Sequence, residues 1–216
     1  VMGEAYPQEL DVALNAVADA VRLCRSVQAQ ITPDVLEKKD RSPVTVADFG
    51  SQALVCRALA AAFADDPVIA EEDSAALCGD SQARLLEQVV VHVGGIVDGA
   101  STEDVCQWID HGGASEHAAR YWTLDPIDGT KGFLRREQYA VSLALIVDGV
   151  IEVAVLGCPN LPIDPSEDDA TATARGVLFF AVRGQGAFTR PIDQPDATPQ
   201  RITVTGTDET VDARFC

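Results

Sequence analysis

Four acidic residues stand where carboxylates could do chemistry together. Asp125 and Asp128 lie in the stretch 124–136, LDPIDGTKGFLRR, on either side of Pro126-Ile127 and just before Gly129 and Thr130. Pro126 lacks an N–H and pushes Asp125 towards an extended conformation, so this segment is not a helix interior. Tyr121 to Leu124 reads as a strand and Thr130 to Arg135 as the opening of a helical turn. Asp125 and Asp128 are therefore expected at a strand's end, where a turn aims them inward. Carboxylates this close repel each other unless a proton or a cation lies between them. Hard oxygen donors of this kind suit Mg²⁺. An ordinary surface turn is the alternative for Asp-Gly taken alone.

Two further sites have the same form. Val44 and Val46 alternate with Thr45 and Ala47, which predicts a short extended segment delivering Asp48 at its end. A helical periodicity follows through Ala53, Cys56, Leu59, Ala60 and Phe63, so Asp48 would also suit a helix N-terminus as a cap. Pro67 to Ala70 reads as a brief strand leading into Glu71-Glu72-Asp73. Three consecutive acids cost repulsion, which points to a cation, although a solvated acidic loop is the plainer reading. Each site alone favours its plain reading. Together, Asp48, Glu71, Asp125 and Asp128 each follow a short apolar run, and one sheet edge could gather all four. Such an edge would suit two or three Mg²⁺ ions clamping a phosphate ester, polarising its P–O bonds and acidifying a bound water.

The elements that must position these residues are legible in outline. Leu10, Ala13, Leu14, Val17, Val21, Cys24 and Val27 form the apolar stripe of a first helix. Thr32-Pro33-Asp34 offers a cap and an N1 proline for a short second helical piece. The range 81–97 is apolar-rich, with Val89, Val90 and Val91 leaving helix and strand hard to separate, and 99–120 reads as a long connection with one helix from Ser101 to Ile109. Asp148-Gly149 between Tyr139–Val147 and Val150–Leu156 signals a hairpin with a type I′ turn, closed by Gly157-Cys158-Pro159-Asn160. After an acidic surface loop from Leu161 to Arg175, strands are expected at Val177–Val182, at Ala187–Arg190 beyond Gly184-x-Gly186, and at Ile202–Val204. That Gly-x-Gly lacks the third glycine and the helix of a dinucleotide loop. Early helices and later antiparallel strands make the fold class α+β, with helices packed on a mainly antiparallel sheet.

Composition sets the outer bounds. The chain has 216 residues and a formal charge of −18, which argues against a general binder of nucleic acid or of anionic membranes. A small anionic substrate would need local help from metal ions or a few basic groups. The six cysteines include no C-x-x-C pair, and scattered reduced thiols are expected. His92, His111 and His117 have no ligand spacing. No apolar run reaches spanning length and Val1 to Glu9 has no signal-peptide character. A cytoplasmic location is the expectation, or an organellar one if a targeting segment precedes Val1.

The acidic motifs carry a family resemblance. D-P-[I/L]-D-G-[T/S] stands at Asp125–Thr130 and continues as GFLR and QYAV through Val141. SPVTVAD at Ser42–Asp48, VIAEEDS at Val68–Ser74 and GCPNLP at Gly157–Pro162 are similar to further motifs of the same family. The chain resembles the lithium-sensitive, Mg²⁺-dependent phosphatases of the inositol monophosphatase family, in particular its 3′(2′),5′-bisphosphate nucleotidase branch. The resemblance implies a layered α+β sandwich and removal of the 3′-phosphate from 3′-phosphoadenosine 5′-phosphate, or from its sulfated form, in sulfate assimilation. Inositol polyphosphate 1-phosphatase activity, or a catalytically impaired regulatory fragment, are the alternatives. It further implies that Glu71 and Asp125, with the Ile127 carbonyl, ligate one metal, and that Asp125 and Asp128 share a second. Asp48 would hold a third, or act with Thr130 to orient and deprotonate the attacking water. Gly129 and Thr130 would present N–H groups to the phosphate, with Thr45 and Lys131 nearby. The family's later W-D-x-A-A-G motif is absent, since Ile109 follows Trp108 and Thr123 follows Trp122. Residues 1–216 therefore resemble the N-terminal, metal-binding lobe without the second α/β lobe, with 191–216 as its end or the start of the inter-lobe region.

Overall fold

The stripe from Leu10 to Val27 forms one face of helix α1 (Pro7–Ala29), and every residue of that stripe is buried. The structure, a computed structural model, describes residues 5–31, 42–77, 82–167, 171–207, 209 and 211. The helical piece expected at Thr32-Pro33-Asp34 lies outside the described residues.

The segment expected to be extended at Val44–Ala47 is instead helical. Helix α2 runs Ser42–Ala62, and Val44, Val46, Ala47, Phe49 and the whole run Gly50–Cys56 are buried. A helix apolar nearly all round belongs inside a protein, and α2 packs between α1 on one side and helices α4 and α5 on the other. Tertiary burial overrides the β-branched alternation of the Val-Thr-Val run, with Pro43 tolerated in the first turn.

The remaining helices and strands among the described residues follow. They are β1 (Val68–Ile69), α3 (Ser74–Leu77), α4 (Ala83–Gly94), α5 (Thr102–Asp110), β2 (Arg120–Asp128), α6 (Thr130–Arg135), β3 (Ala140–Val147), β4 (Val150–Pro162), β5 (Arg175–Val182), β6 (Gly186–Pro191) and β7 (Gln200–Ile202). The Val89–Val91 ambiguity resolves as helix, with Val89 and Val93 buried. Helix α5 starts with a reciprocal capping box, Ser101 accepting from the Asp104 N–H and Asp104 from the Ser101 N–H.

The seven strands among the described residues form one sheet in chain order, β1 to β7. β1 and β2 are parallel, and every later neighbour pair is antiparallel. The hairpin turn is as expected, with Asp148 at φ 50° and Gly149 at φ 76°. β4 does not close at Gly157–Asn160 but continues through Pro162, with a register shift between Cys158 and Pro162 absorbing the prolines. The last strand begins two residues earlier than expected and ends at Ile202.

Helices α1 and α2 cover one face of the sheet, where Trp122, Leu143, Leu145, Val153, Val155 and Leu178 are buried. An ionic cluster ties that layer to the edge of β2. Arg120 Nε lies 2.9 and 2.8 Å from the two Asp66 carboxylate oxygens, and its Nη2 donates to Glu9. Trp122 Nε1 donates to Asp66 at 3.1 Å, while Phe63 stacks on the Trp122 ring. Cys24, Cys56 and Cys158 are free thiols. Cys106 is disulfide-bonded, which corrects the expectation of reduced thiols throughout. Cys106 lies within α5, and spacing along the chain does not disclose its pairing. Among the described residues no helix is long and apolar enough to cross a membrane.

Candidate metal centre

The parallel pairing of β1 with β2 decides where two of the acids go. Val68 pairs with Trp122 and Ile69 with Thr123. Glu71 and Asp125 each stand two residues further on, so the register brings them level at one end of the sheet. Ala70 N–H donates to the Gly112 carbonyl at 2.9 Å, which holds the chain as it leaves β1.

A bulge brings Asp128 to the same place. Asp125 pairs with Ser142 and Asp128 with Ala140, so three steps on β2 face two on β3. In a regular strand residues three apart point to opposite faces; the extra residue removes that opposition. Pro126 fits there because the broken ladder does not need its N–H. Asp125 Oδ1 accepts from the Ile127 N–H at 3.1 Å, closing a small turn within the motif. Gly129, at φ +94°, then reverses the chain into α6. Gly129, Thr130 and Lys131 are exposed, whereas Ile127 is buried.

Asp48 reaches the cluster from α2, two turns inside the helix, and is half-buried. It is neither at a strand's end nor at a helix N-terminus, so both local expectations for it are corrected. Ser51 and Gln52 lie on the same face of α2. Ser51 Oγ donates to the Pro126 carbonyl at 3.3 Å, and Gln52 holds both backbone groups of Glu72.

The electrostatics show that these groups feel one another. Burial, followed by Glu72, Glu71 and Asp125, pushes the Asp48 carboxyl up to about 8. Asp125 is raised by burial, then by Asp128 and Glu71, against the opposing pull of the Ile127 N–H. Glu72 is raised by burial and by Glu71. Among the described ion pairs, none involves Asp48, Glu71, Glu72, Asp125 or Asp128. An all-oxygen donor set with no partner among the described ion pairs fits a hard divalent cation in type and in sign. The side chains are near enough to perturb one another's protonation. Among the described residues, however, no three His, Cys, Asp or Glu side chains are arranged to hold one ion.

The histidines stand elsewhere. His92 Nδ1 is 2.9 Å from Ser26 Oγ, His111 caps the end of α5, and His117 meets the Tyr121 ring edge-on. Sequence reasoning named Glu72 only within the acidic run Glu71-Glu72-Asp73, not as the foremost acidic neighbour of Asp48, and it missed the clamps Ser51 and Gln52. Their spacing from Asp48, three and four residues, is a signal only once the segment is known to be helical.

The model of the Inositol monophosphatase family matches residues 6–215. The chain belongs to this family. Members of the family are generally Mg²⁺-dependent phosphatases. The 3′(2′),5′-bisphosphate nucleotidase 1 of Arabidopsis thaliana is 40% identical over 228 residues, covering 98% of this chain and 64% of that protein. The 3′(2′),5′-bisphosphate nucleotidase of Schizosaccharomyces pombe is 37% identical, again covering 98% of this chain and 64% of the relative. The chain thus spans less than two thirds of the length of these relatives. Among solved structures, Mycobacterium tuberculosis SuhB superposes with a TM-score of 0.53 at 22% identity, over 94% of this chain and 54% of that one. Thermotoga maritima IMPase gives 0.51 at 17% identity, over 92% and 54%. These likenesses establish the inositol monophosphatase fold, and with it the expected α+β arrangement of helices on a mainly antiparallel sheet.

Proposed function

We propose that this chain carries the metal-binding acidic cluster of a Mg²⁺-dependent phosphomonoesterase that removes the 3′-phosphate of 3′-phosphoadenosine 5′-phosphate, yielding AMP and phosphate. The observation that carries the reading is the meeting of carboxylates from three separate motifs, Asp48, Glu71 and Asp125 with Asp128, with no cationic side chain among the described ion pairs to neutralise them. The names of the nucleotidase relatives support the substrate class. Glu71, Asp125, the Ile127 carbonyl and Asp128 would hold two Mg²⁺ ions, and Asp48 would either hold a third or act with Thr130 on the attacking water. Bound Mg²⁺ supplies Lewis-acid polarisation of the phosphoryl oxygens and a lowered pKa for water.

The chain's own groups do the rest. The exposed Gly129 and Thr130 open α6, where free backbone N–H groups meet the phosphate oxygens. Where Asp48 does not hold the third ion, it would receive the proton of a water oriented with the Thr130 hydroxyl. Lys131, exposed beside them, adds positive charge near the anionic substrate.

The test is phosphate release from 3′-phosphoadenosine 5′-phosphate with Mg²⁺, comparing the chain with Asp125→Asn. Turnover abolished by the substitution supports the reading. Equal turnover in the variant, or none in the parent chain, refutes it for this chain. An inositol bisphosphate run alongside distinguishes nucleotide from inositol phosphate as substrate.

A further inference from the structure

Gln52 is completely buried, and its amide is fully engaged. Nε2 donates to the Glu72 carbonyl at 2.7 Å and to the Ile109 carbonyl at 3.0 Å, while Oε1 accepts from the Glu72 N–H at 2.9 Å. The reverse orientation would set an oxygen against two carbonyls and a nitrogen against an N–H, so the partners themselves determine the amide's direction. The side chain therefore pairs with residue 72 as a neighbouring strand's peptide would.

The position of this clamp gives it a consequence beyond satisfying buried groups. Glu71 lies between two anchored neighbours, Ala70 on the Gly112 carbonyl and Glu72 on Gln52. The Gln52 anchor comes from the helix that carries Asp48, one turn away on the same face. The separation between Asp48 and the Glu71–Glu72 segment is thus set through one amide. Gly112 completes the fit, since a Cβ there would stand 2.7 Å from Gln52 Nε2.

We propose that Gln52 is a positioning residue that sets the spacing of the acidic cluster and hence its affinity for Mg²⁺. This rests on the metal-binding reading above and deepens it. Loss of a group that holds metal ligands in place lowers affinity by roughly 10–100-fold in comparable sites. A purely structural role would lower melting temperature and leave the Mg²⁺ titration unmoved.

The experiment is Mg²⁺ binding by titration calorimetry, with thermal melts, on the parent chain, Gln52→Met and Val89→Ala. Met keeps the length and bulk of Gln52 and removes its hydrogen bonds. Val89, buried on α4, serves as a core control. Mg²⁺ binding should weaken roughly tenfold or more in Gln52→Met and stay at the parent value in Val89→Ala, although both melt lower. If Gln52→Met does not fold, Gly112→Ala, whose methyl presses on the amide and on Ala70 Cβ at 3.0 Å, carries the same expectation for the clamp. Parent-like affinity in the Gln52 or Gly112 variant, or equal weakening in Val89→Ala, overturns the proposal and leaves the metal site standing. A parent chain that binds no Mg²⁺ overturns both.

Discussion

Asp48→Asn isolates the cost of gathering carboxylates without a cation. Burial and the charges of Glu72, Glu71 and Asp125 raise the Asp48 pKa from the ordinary 3.8 to about 8. The folded value lies above the unfolded one, so the folded chain holds this proton more tightly. Its contribution to stability is therefore complete below pH 3.8 and is lost as pH rises towards about 8. At pH 7 this spans roughly three pKa units at about 1.36 kcal/mol each, or about 4 kcal/mol. Solvent reaching the half-buried side chain, with an interior more polarisable than dry protein, brings the cost to about 2–4 kcal/mol. Glu72 and Asp125 shift in the same direction, so the pH dependence belongs to the cluster as a whole. Asn keeps the size of Asp48 and carries no charge. In EDTA at pH 8 the variant should melt roughly 5–10 °C above the parent chain, and the two should converge near pH 4. Mg²⁺ should then raise the parent's melting temperature more than the variant's, because a ligand stabilises only the state it binds. The assay is circular dichroism melting across pH, with and without Mg²⁺. A variant that melts at or below the parent in EDTA at pH 8 would refute the account of Asp48 as a half-buried acid strained by its acidic neighbours.

Two further substitutions test the scaffold. Gly132→Ala places a methyl group well inside contact distance of the Gln138 carbonyl, a backbone atom that cannot swing aside; urea denaturation should show a loss of about 1–3 kcal/mol, and a change under 0.5 kcal/mol would mean that α6 and the turn before β3 yield freely. Asp66→Asn removes the charge paired with Arg120, on side chains only 14% and 30% exposed, and disturbs the acceptor of Trp122 Nε1. A destabilisation of about 2–4 kcal/mol is expected, partly relieved in the double variant with Arg120→Met, and additive losses in that double-mutant cycle would deny the coupling.

Much of the fold was legible because local physics set it. The α1 stripe has the helical period and one apolar face, and Asp148-Gly149 supplies the two positive φ values a tight hairpin demands. The motif from Asp125 to Thr130 announced both acids and the turn that follows them. Asp48 was misplaced because valines alternating with small residues match a strand, and only the layers on both sides of α2 make that segment helical. β4 was cut short at its prolines because a bulge that accommodates them is invisible without the partner strand.

The sequence by itself determined which chemical groups are present, in what order, and therefore the family and the kind of cation they invite. The tertiary structure decided which of them meet. Glu71 stands level with Asp125 only because β1 pairs in parallel with β2 in one register. Asp128 joins Asp125 only because the strand gains a residue between them. Gln52 becomes a clamp only because helix α2 turns it towards Glu72. Residue types and turn preferences act over a few neighbours along the chain, whereas these arrangements depend on partners farther away, 20 residues for Gln52 and Glu72, and packing of the whole domain selects them.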